Sequence, residues 1–448
     1  MLPLHRKQLI SLFFLAFVLR LALFGLQYYH AGSMQSSFAG DSQAYLQLAR
    51  NVFSGNGFSE STSPPFLPVA GRMPLVPLLL GLFRGSLLLY LVLQIAVASF
   101  SVLLVYYIGR RTFSESVGFW GAILLACDPL SIYHSSQLMT ETYFTFFLLL
   151  AVYFFVEFRD SGRLSSAAFS GLGIGLASLA RPIGPVEAIL IVFGFFFSMR
   201  VRWRERIAGA LICLSLFCAV IAPWLIRNYL TFGAWSLSSL PSYNLYWYNA
   251  REFYAKQNHL SSEDAKILFR QWANDAQAAP ANELVMARWY KRKGMEIIVP
   301  KWAPYLRFHI INAGAVFLNT GISDILRSFQ KSANDLNMTA IFSQDTAGIY
   351  NFIRSYPWLV AGKAVLFLLY ILLAVGLFLQ KKNSRFAFAF FLMIAVSFAL
   401  TTGAVAEPRF RVPAEPLLLL LFAQTVATLL AGPRLSQIIE VAPRKDRI

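Results

Sequence analysis

The sequence predicts an all-α protein that crosses a membrane many times, and three observations carry that prediction. The chain of 448 residues is 57% hydrophobic and only 14% charged, with a mean hydropathy of +0.56, far more apolar than a soluble chain of its length. Apolar runs of ~20 residues, each long enough for a ~30 Å hydrocarbon core, recur along most of it. The runs are continuous rather than alternating, so helices and not barrel strands are the spanning form.

Taken in order, the first run covers about Leu9 to Leu26. With its basic start and Ala31-Gly32-Ser33 behind it, this run resembles a signal peptide, but it carries Arg20 and many spans follow, so it reads as an uncleaved first helix. The segment 29–73 is then a first outer loop, punctuated by Gly55, Gly57, Pro64, Pro65 and Pro68. Inside it Tyr45, Leu48, Ala49, Val52 and Phe53 share one face at helical spacing, an amphipathic helix expected to lie in the interface. Nine more runs follow, near Leu87 to Ile108, Val117 to Ala126, Met139 to Phe158, Leu164 to Ala180, Val186 to Phe197, Ile207 to Trp224, Trp358 to Leu379, Phe386 to Thr402 and Pro416 to Leu430. Residues 227–356 form a long outer segment in which Ile310 to Leu318 is apolar enough for a short or re-entrant span. The runs end near Leu430, so the reading expects one transmembrane domain over 1–448 and no separate soluble C-terminal domain.

The formal charge of +17 would suggest nucleic acid in a soluble protein. Here the basic residues, among them Lys7, Arg110, Arg111, Arg159, Arg204 and Lys381, stand between alternate spans and set topology. The positive-inside rule makes those segments and both termini cytoplasmic, with roughly ten spans or more in all. Cys127, Cys213 and Cys218 all lie in apolar runs and build no disulfide framework.

Ionisable residues that topology does not explain gather at the opposite ends of the spans: Asp41, Arg72, Asp128, His134, Glu141, Arg181, Arg227 with Asn228, Glu407, Arg409 and Arg411. Charges at membrane depth are costly and mark sites or pathways. Each has a plainer reading: Asp41 as a helix N-cap, Glu141 against a helix dipole, Asp128 in a turn before Pro129, His134 as a satisfied polar group, and the arginines as interfacial anchors. Their convergence from separate segments on one side is what suits a phosphorylated molecule.

These residues also carry a resemblance. Gly40-Asp41-Ser-Gln-Ala-Tyr45 with Gly55-Asn-Gly-Phe58, Arg72-x-Pro74-x-x-Pro77, Leu138-Met-Thr-Glu141, Leu179-Ala-Arg181-Pro, Pro223-Trp-x-x-Arg227-Asn228 and Glu407-Pro-Arg409-Phe, in this order, resemble the GT-C superfamily of membrane glycosyltransferases. Within it the resemblance is to the bacterial branch related to dolichyl-phosphate-mannose protein mannosyltransferases, glycosyltransferase family 39-like, and to lipid A aminoarabinose transferases. It covers the chain to about residue 416 and rests on the order of the motifs rather than on any one of them.

The resemblance implies a GT-C-like bundle whose outer-face loops build a site for transferring a sugar from a polyprenyl-phosphate carrier to a lipid, glycan or protein acceptor outside the cytoplasmic membrane, in the cell envelope. It implies Asp41 as catalytic base. The sequence has one acid at that loop position rather than an adjacent pair, and the resemblance leaves a divalent metal open while no metal ligands stand out. The residues agree by their chemistry. A hydroxyl attacking an anomeric carbon needs a base, Asp41 or Glu141, and cations for the departing phosphate, Arg72, Arg227, Arg409 or Arg181, with Tyr45 beside them. A single in-line displacement inverts the anomeric centre. The alternative is a transporter or flippase for a lipid-linked or anionic substrate. That class would show an internal repeat and charges near the membrane midplane.

Overall fold

In a computed structural model the described residues are 6–84, 86–276, 282–329, 357–405 and 407–439. Among them the backbone is helical apart from loops and one antiparallel bridge between Ser59 and Pro68. Each of the ten apolar runs is a helix: α1 (Arg6–Ala31), α4 (Leu87–Thr112), α5 (Glu115–Cys127), α7 (Glu141–Ser161), α8 (Leu164–Ala180), α9 (Gly184–Phe196), α10 (Trp203–Phe232), α17 (Pro357–Leu379), α18 (Lys382–Thr402) and α19 (Glu415–Ile439). Six of the described helices are long and apolar enough to cross a membrane, and a seventh span forms when α5 is joined to α6 (Pro129–Ser135) across a 58° bend. The apolar helices Leu164–Ala180, Gly184–Phe196 and Glu415–Ala431 are shorter; the expected number of roughly ten includes them.

Close packing of the spans depends on small residues, because lipid gives helices no hydrophobic reason to associate. Helix α8 runs against both α7 and α10. A Cβ on its Gly171 would stand 2.2 Å from the carbonyl oxygen of Cys213 on α10, so only glycine permits that approach. The buried core of the bundle is aromatic and aliphatic, with Phe144, Phe155, Phe158, Phe195, Phe388 and Phe391 fully enclosed.

The break between α5 and α6 frees main-chain N–H and carbonyl groups, and charged side chains satisfy them. Asp128 caps α6 by accepting from the Ser131 N–H at 2.7 Å, as the Asp-Pro pair favours. Arg20, fully buried on α1, donates to the carbonyls of Leu125 and Ala126 at 3.2 and 3.3 Å and to the Ser131 hydroxyl at 3.1 Å. Arg411 acts likewise at the end of α15 (Trp302–Leu318), donating to the carbonyls of Phe317 and Asn319 at 2.8 and 2.6 Å while pairing with Glu415.

The basic ends and the site ends of the spans alternate as the charge pattern predicts. Lys7, Arg110, Arg111, Arg159, Arg163, Arg204 and Lys381 belong to one set of helix ends. Asp41, Glu141, Arg181, Arg227 and Arg409 belong to the other. The amphipathic helix of the first loop is α2 (Ser42–Phe53). Most of its apolar face is spent on protein, with Phe53 left exposed: Tyr45 and Ala49 pack with Val76 and Leu80 of α3 (Leu75–Leu82), and Leu48 packs with Phe58, Met73 and Trp224.

Part of the long segment 227–356, residues 277–281 and 330–356, lies outside the described residues. The rest is a set of helices not expected individually: α11 (Leu240–Asn244), a π-helical stretch Leu245–Ala250, α12 (Arg251–Gln257), α13 (Ser262–Ala276), α14 (Glu283–Ile298), α15 and α16 (Ile322–Ser328). They close on an aromatic core of Tyr246, Phe269, Trp247, Tyr254, Trp289 and Tyr290. Ile310 to Leu318, the candidate short span, is the second half of α15, which packs on α17 and α18.

Candidate active site

Asp41 occupies the N-cap position of α2 yet makes no side-chain cap bond. The turn before it is held instead by Ser42, whose hydroxyl accepts from the Ala39 N–H at 2.9 Å. The carboxylate is thus free of a structural duty on its own helix and faces two guanidiniums. Its Oδ1 accepts from Arg72 Nη2 at 2.9 Å, while its Oδ2 stands 3.9 Å from Arg409 Nη1, beyond hydrogen-bond distance. One oxygen is anchored at hydrogen-bond distance and the other is not.

Each guanidinium bridges two acids. Arg72 Nε also faces Glu60 Oε1 at 3.4 Å, and Arg409 Nε faces Glu407 Oε2 at 2.5 Å. Burial by itself would lower both arginine pKa values. For Arg72 the neighbouring Asp41, Tyr45 and Glu60 outweigh it, and for Arg409 Glu407, Glu141 and Asp41 do, so both are raised and stay charged. Behind them Glu141, 1% exposed at the first turn of α7, pairs with Arg181 Nη1 at 2.5 Å. Arg181 and Arg409 both stack on Phe410, at 5.4 and 5.0 Å from its centroid. Tyr45 sits between the two ionic groups; burial first and then Asp41 push its hydroxyl up to about 12, so it remains a neutral donor.

Gly40 explains the close approach. With φ +47° it takes a left-handed turn, and a Cβ there would lie 3.1 Å from Arg409 Nη1. On the same side opens a cleft of about 700 Å³, within the range of small-molecule sites. Gly40, His134, Ser323, Asp324, Glu407 and Arg409 are among its walls.

The structure therefore brings together Asp41, Tyr45, Arg72, His134, Glu141, Arg181, Glu407 and Arg409. It does not bring Asp128 or Arg411, which serve helix ends inside the bundle. Nor do the donors of Arg227 reach a carboxylate. They go to the carbonyls of Val69 and Phe58 at 2.8 and 3.4 Å and to Asn228 Oδ1 at 2.8 Å, with the rings of Trp224, Phe232 and Phe58 around the guanidinium. Asn228 in turn donates to the carbonyls of Ser236 and Leu237 at 2.7 and 3.3 Å. This pair staples two loops to the end of α10.

Two residues went unnoticed in the sequence. Glu60, in a loop without periodicity, completes the Arg72 bridge. Glu283, the first residue of α14, accepts from the Ala70 N–H at 2.5 Å and from Ser239, fixing the backbone two residues before Arg72. A glutamate in a helix's first turn is unremarkable by sequence, and nothing local announces a partner 213 residues away. Among the described residues no three His, Cys, Asp or Glu side chains group as metal ligands. Asp41, Glu60 and Glu407 are instead interleaved with arginines, and this set does not fit a metal ion.

An all-α bundle of many apolar spans, with its ionic centre at one end of the helices, defines a polytopic membrane protein. Residues 75–226 match the family model for dolichyl-phosphate-mannose-protein mannosyltransferase. The whole fold is similar to that of the archaeal oligosaccharyltransferase AglB from Archaeoglobus fulgidus in complex with an inhibitory peptide and a dolichol-phosphate: TM-score 0.55, 14% identity, 98% of this chain and 52% of that one. The apo form of the Archaeoglobus fulgidus oligosaccharyltransferase gives TM-score 0.54 and 14% identity, over 99% of this chain and 53% of that one. ArnT from Cupriavidus metallidurans bound to undecaprenyl phosphate is a more distant likeness: TM-score 0.40, 12% identity, 99% of this chain and 82% of that one. The chain spans about half the length of the archaeal oligosaccharyltransferases. Among curated proteins none matches it by sequence.

Proposed function

We propose that this protein is a glycosyltransferase that moves a sugar from a polyprenyl-phosphate carrier to an acceptor at the outer face of the cytoplasmic membrane. The observation that carries the reading is the divided environment of Asp41: one oxygen fixed by Arg72, the other 3.9 Å from Arg409, which is a wall residue of the cleft. The archaeal oligosaccharyltransferase AglB was solved with a dolichol-phosphate, and a phosphate-borne sugar is the donor chemistry that such a centre suits.

Asp41 Oδ2 takes the proton of the acceptor hydroxyl as its oxygen attacks the anomeric carbon. The bond from that carbon to the phosphate oxygen breaks, and the electron pair leaves with the phosphate. Arg409 and Arg72 face the charge that develops there, acting as fixed cations that need no reorganisation. A phosphate leaves without protonation, which accounts for guanidiniums standing where a second acid would otherwise be needed. One displacement inverts the anomeric centre. Glu141, closed off by Arg181, orients that arginine and Tyr45 rather than meeting substrate.

Both termini cytoplasmic and the site outside is the orientation that the alternation of basic and site ends supports. With it goes the cytoplasmic (inner) membrane as location, and a single transmembrane unit for the chain. The acceptor is a lipid, glycan or protein hydroxyl.

The test is release of polyprenyl phosphate by the full chain in lipid nanodiscs, given a panel of polyprenyl-phosphate sugars. Asp41→Asn should bind donor normally yet turn over ~10²-fold more slowly, the usual size of a lost general base. Turnover in Asp41→Asn within about threefold of wild type, a difference below ~0.7 kcal/mol, would remove Asp41 as the base.

A further inference from the structure

Two polar side chains on the walls of the 700 Å³ cleft are buried without a hydrogen-bond partner. His134, 5% exposed on α6, has neither ring nitrogen partnered, and the Ser323 hydroxyl on α16, also 5% exposed, has none among the described residues. Leaving such groups unsatisfied costs free energy unless something from outside satisfies them. They come from separate helices and open on one space.

The cleft tells what that partner is. Apart from His134 and the phenol of Tyr133, its ionisable walls are Asp324, Arg327, Glu407 and Arg409, two acids and two arginines. Arg327 pairs with Asp324 at 3.3 Å and Arg409 with Glu407 at 2.5 Å, so the walls carry no net charge that would favour an ionised sugar. The remaining polar wall is Ser33, Gln35, Ser36, Asn319 and Ser328, short hydroxyls and amides. Neutral imidazole offers one donor and one acceptor, and a serine hydroxyl offers both. That inventory matches a ligand whose every substituent is itself both donor and acceptor.

Building on the glycosyltransferase reading above, we infer that this cleft is the donor-sugar subsite, that it takes a neutral hydroxyl-rich sugar, and that His134 and Ser323 are specificity-determining residues that hydrogen-bond its hydroxyls. Arg409, on the same wall, then meets the phosphate to which that sugar is attached. The arrangement separates recognition of the two halves of the donor, sugar by His134 and Ser323, carrier phosphate by arginine.

The experiment exploits that separation. Affinities are measured for the full chain in nanodiscs with bare polyprenyl phosphate and with polyprenyl phosphate carrying a neutral hexose, an amino sugar or a uronic acid. Wild type should hold the neutral-sugar lipid about tenfold or more tighter than the bare carrier. His134→Ala and Ser323→Ala should each weaken it by about tenfold, the size of one lost hydrogen bond, with bare-carrier affinity unchanged. His134→Gln, which keeps a donor and an acceptor, should restore part of the loss.

Equal weakening of bare and sugar-bearing carrier would make both residues structural and overturn the inference. So would wild-type preference for the amino sugar or uronic acid, or indifference to the sugar; in each case the carrier reading survives. Failure of wild type to bind either the bare carrier or any sugar-bearing one would overturn both the inference and the reading beneath it.

Discussion

Two arginines two residues apart, Arg409 and Arg411, belong to different machines. Arg411 is 2% exposed, paired with Glu415, and its terminal nitrogen is spent on the carbonyls of Phe317 and Asn319. Arg409 is 24% exposed at the cleft, and its ionic and ring partners are the carboxylates of Asp41 and Glu407 and the ring of Phe410. Both are guanidiniums beside acids, yet the first closes helix ends and the second stands where a ligand can displace its partners. What separates an architectural charge from a working one is the identity of its acceptors: backbone carbonyls have no alternative partner in lipid, whereas a carboxylate can exchange its cation for a phosphate. By the same measure Arg20 and Arg227 fall with Arg411, and Arg72 falls with Arg409.

The largest effect expected from breaking this contrast is at the architectural member. Arg411→Ala leaves the Glu415 carboxylate uncompensated inside the bundle and two helix-end carbonyls without a donor, a loss of about 3 to 5 kcal/mol for a broken buried pair. Thermal unfolding in detergent should show a strongly lowered midpoint, and Arg411→Lys should recover little of it, because one ammonium cannot reach Glu415 and both carbonyls in the same geometry. A variant as stable as wild type would place Arg411 among the exchangeable charges.

The working member should respond in the other observable. Arg409→Ala should unfold close to wild type while its affinity for polyprenyl phosphate falls by about 10 to 150 fold, or ~1.5 to 3 kcal/mol for a lost charge-assisted contact. Arg409→Lys should restore only part, since a point charge cannot replace a planar fork. Unchanged affinity for the carrier together with lowered stability would move Arg409 into the same group as Arg411.

The sequence made the bundle legible because run length is a direct property of the chain. All ten apolar runs are helices, and the basic loops and the cluster of Asp41, Glu141, Arg181 and Arg409 fall at alternating helix ends. The site was legible only as a set. Asp41, Arg72, Arg181, Glu141 and Arg409 meet, but Glu407-Pro-Arg409-Phe-Arg411 gave no sign of which arginine faces the cleft, because packing of α15 and α19 decides it. Arg227 shows the same limit: an arginine at a span end looks alike in sequence whether its donors meet an acid or, as here, the carbonyls of Phe58 and Val69. The short helices of 240–298 escaped because their apolar positions are few and aromatic. Glu60 and Glu283 escaped because their partners are tertiary.

The smallest effect sharpens the comparison inside the site itself, at Glu60. This carboxyl lies 3.4 Å from Arg72 with 37% of its side chain exposed. Burial raises its pKa above the ordinary 4.5, and Arg72 opposes the rise without cancelling it. The folded protein therefore binds this proton more tightly than the unfolded chain does, so Glu60 makes stability fall as pH rises from about 4.5 through its higher folded value. Glu60→Gln mimics the protonated form. It should remove that slope and stabilise the protein above the window by less than about 1 kcal/mol, because a group this exposed is screened by solvent. Unfolding midpoints across that pH window, compared between wild type and Glu60→Gln, read the difference. If Arg72 instead needs the Glu60 charge to hold its position against Asp41, Glu60→Gln would lose stability at neutral pH and its slope would run the other way. Glu60 would then count as a support that Asp41 depends on, and Arg72 as partly architectural.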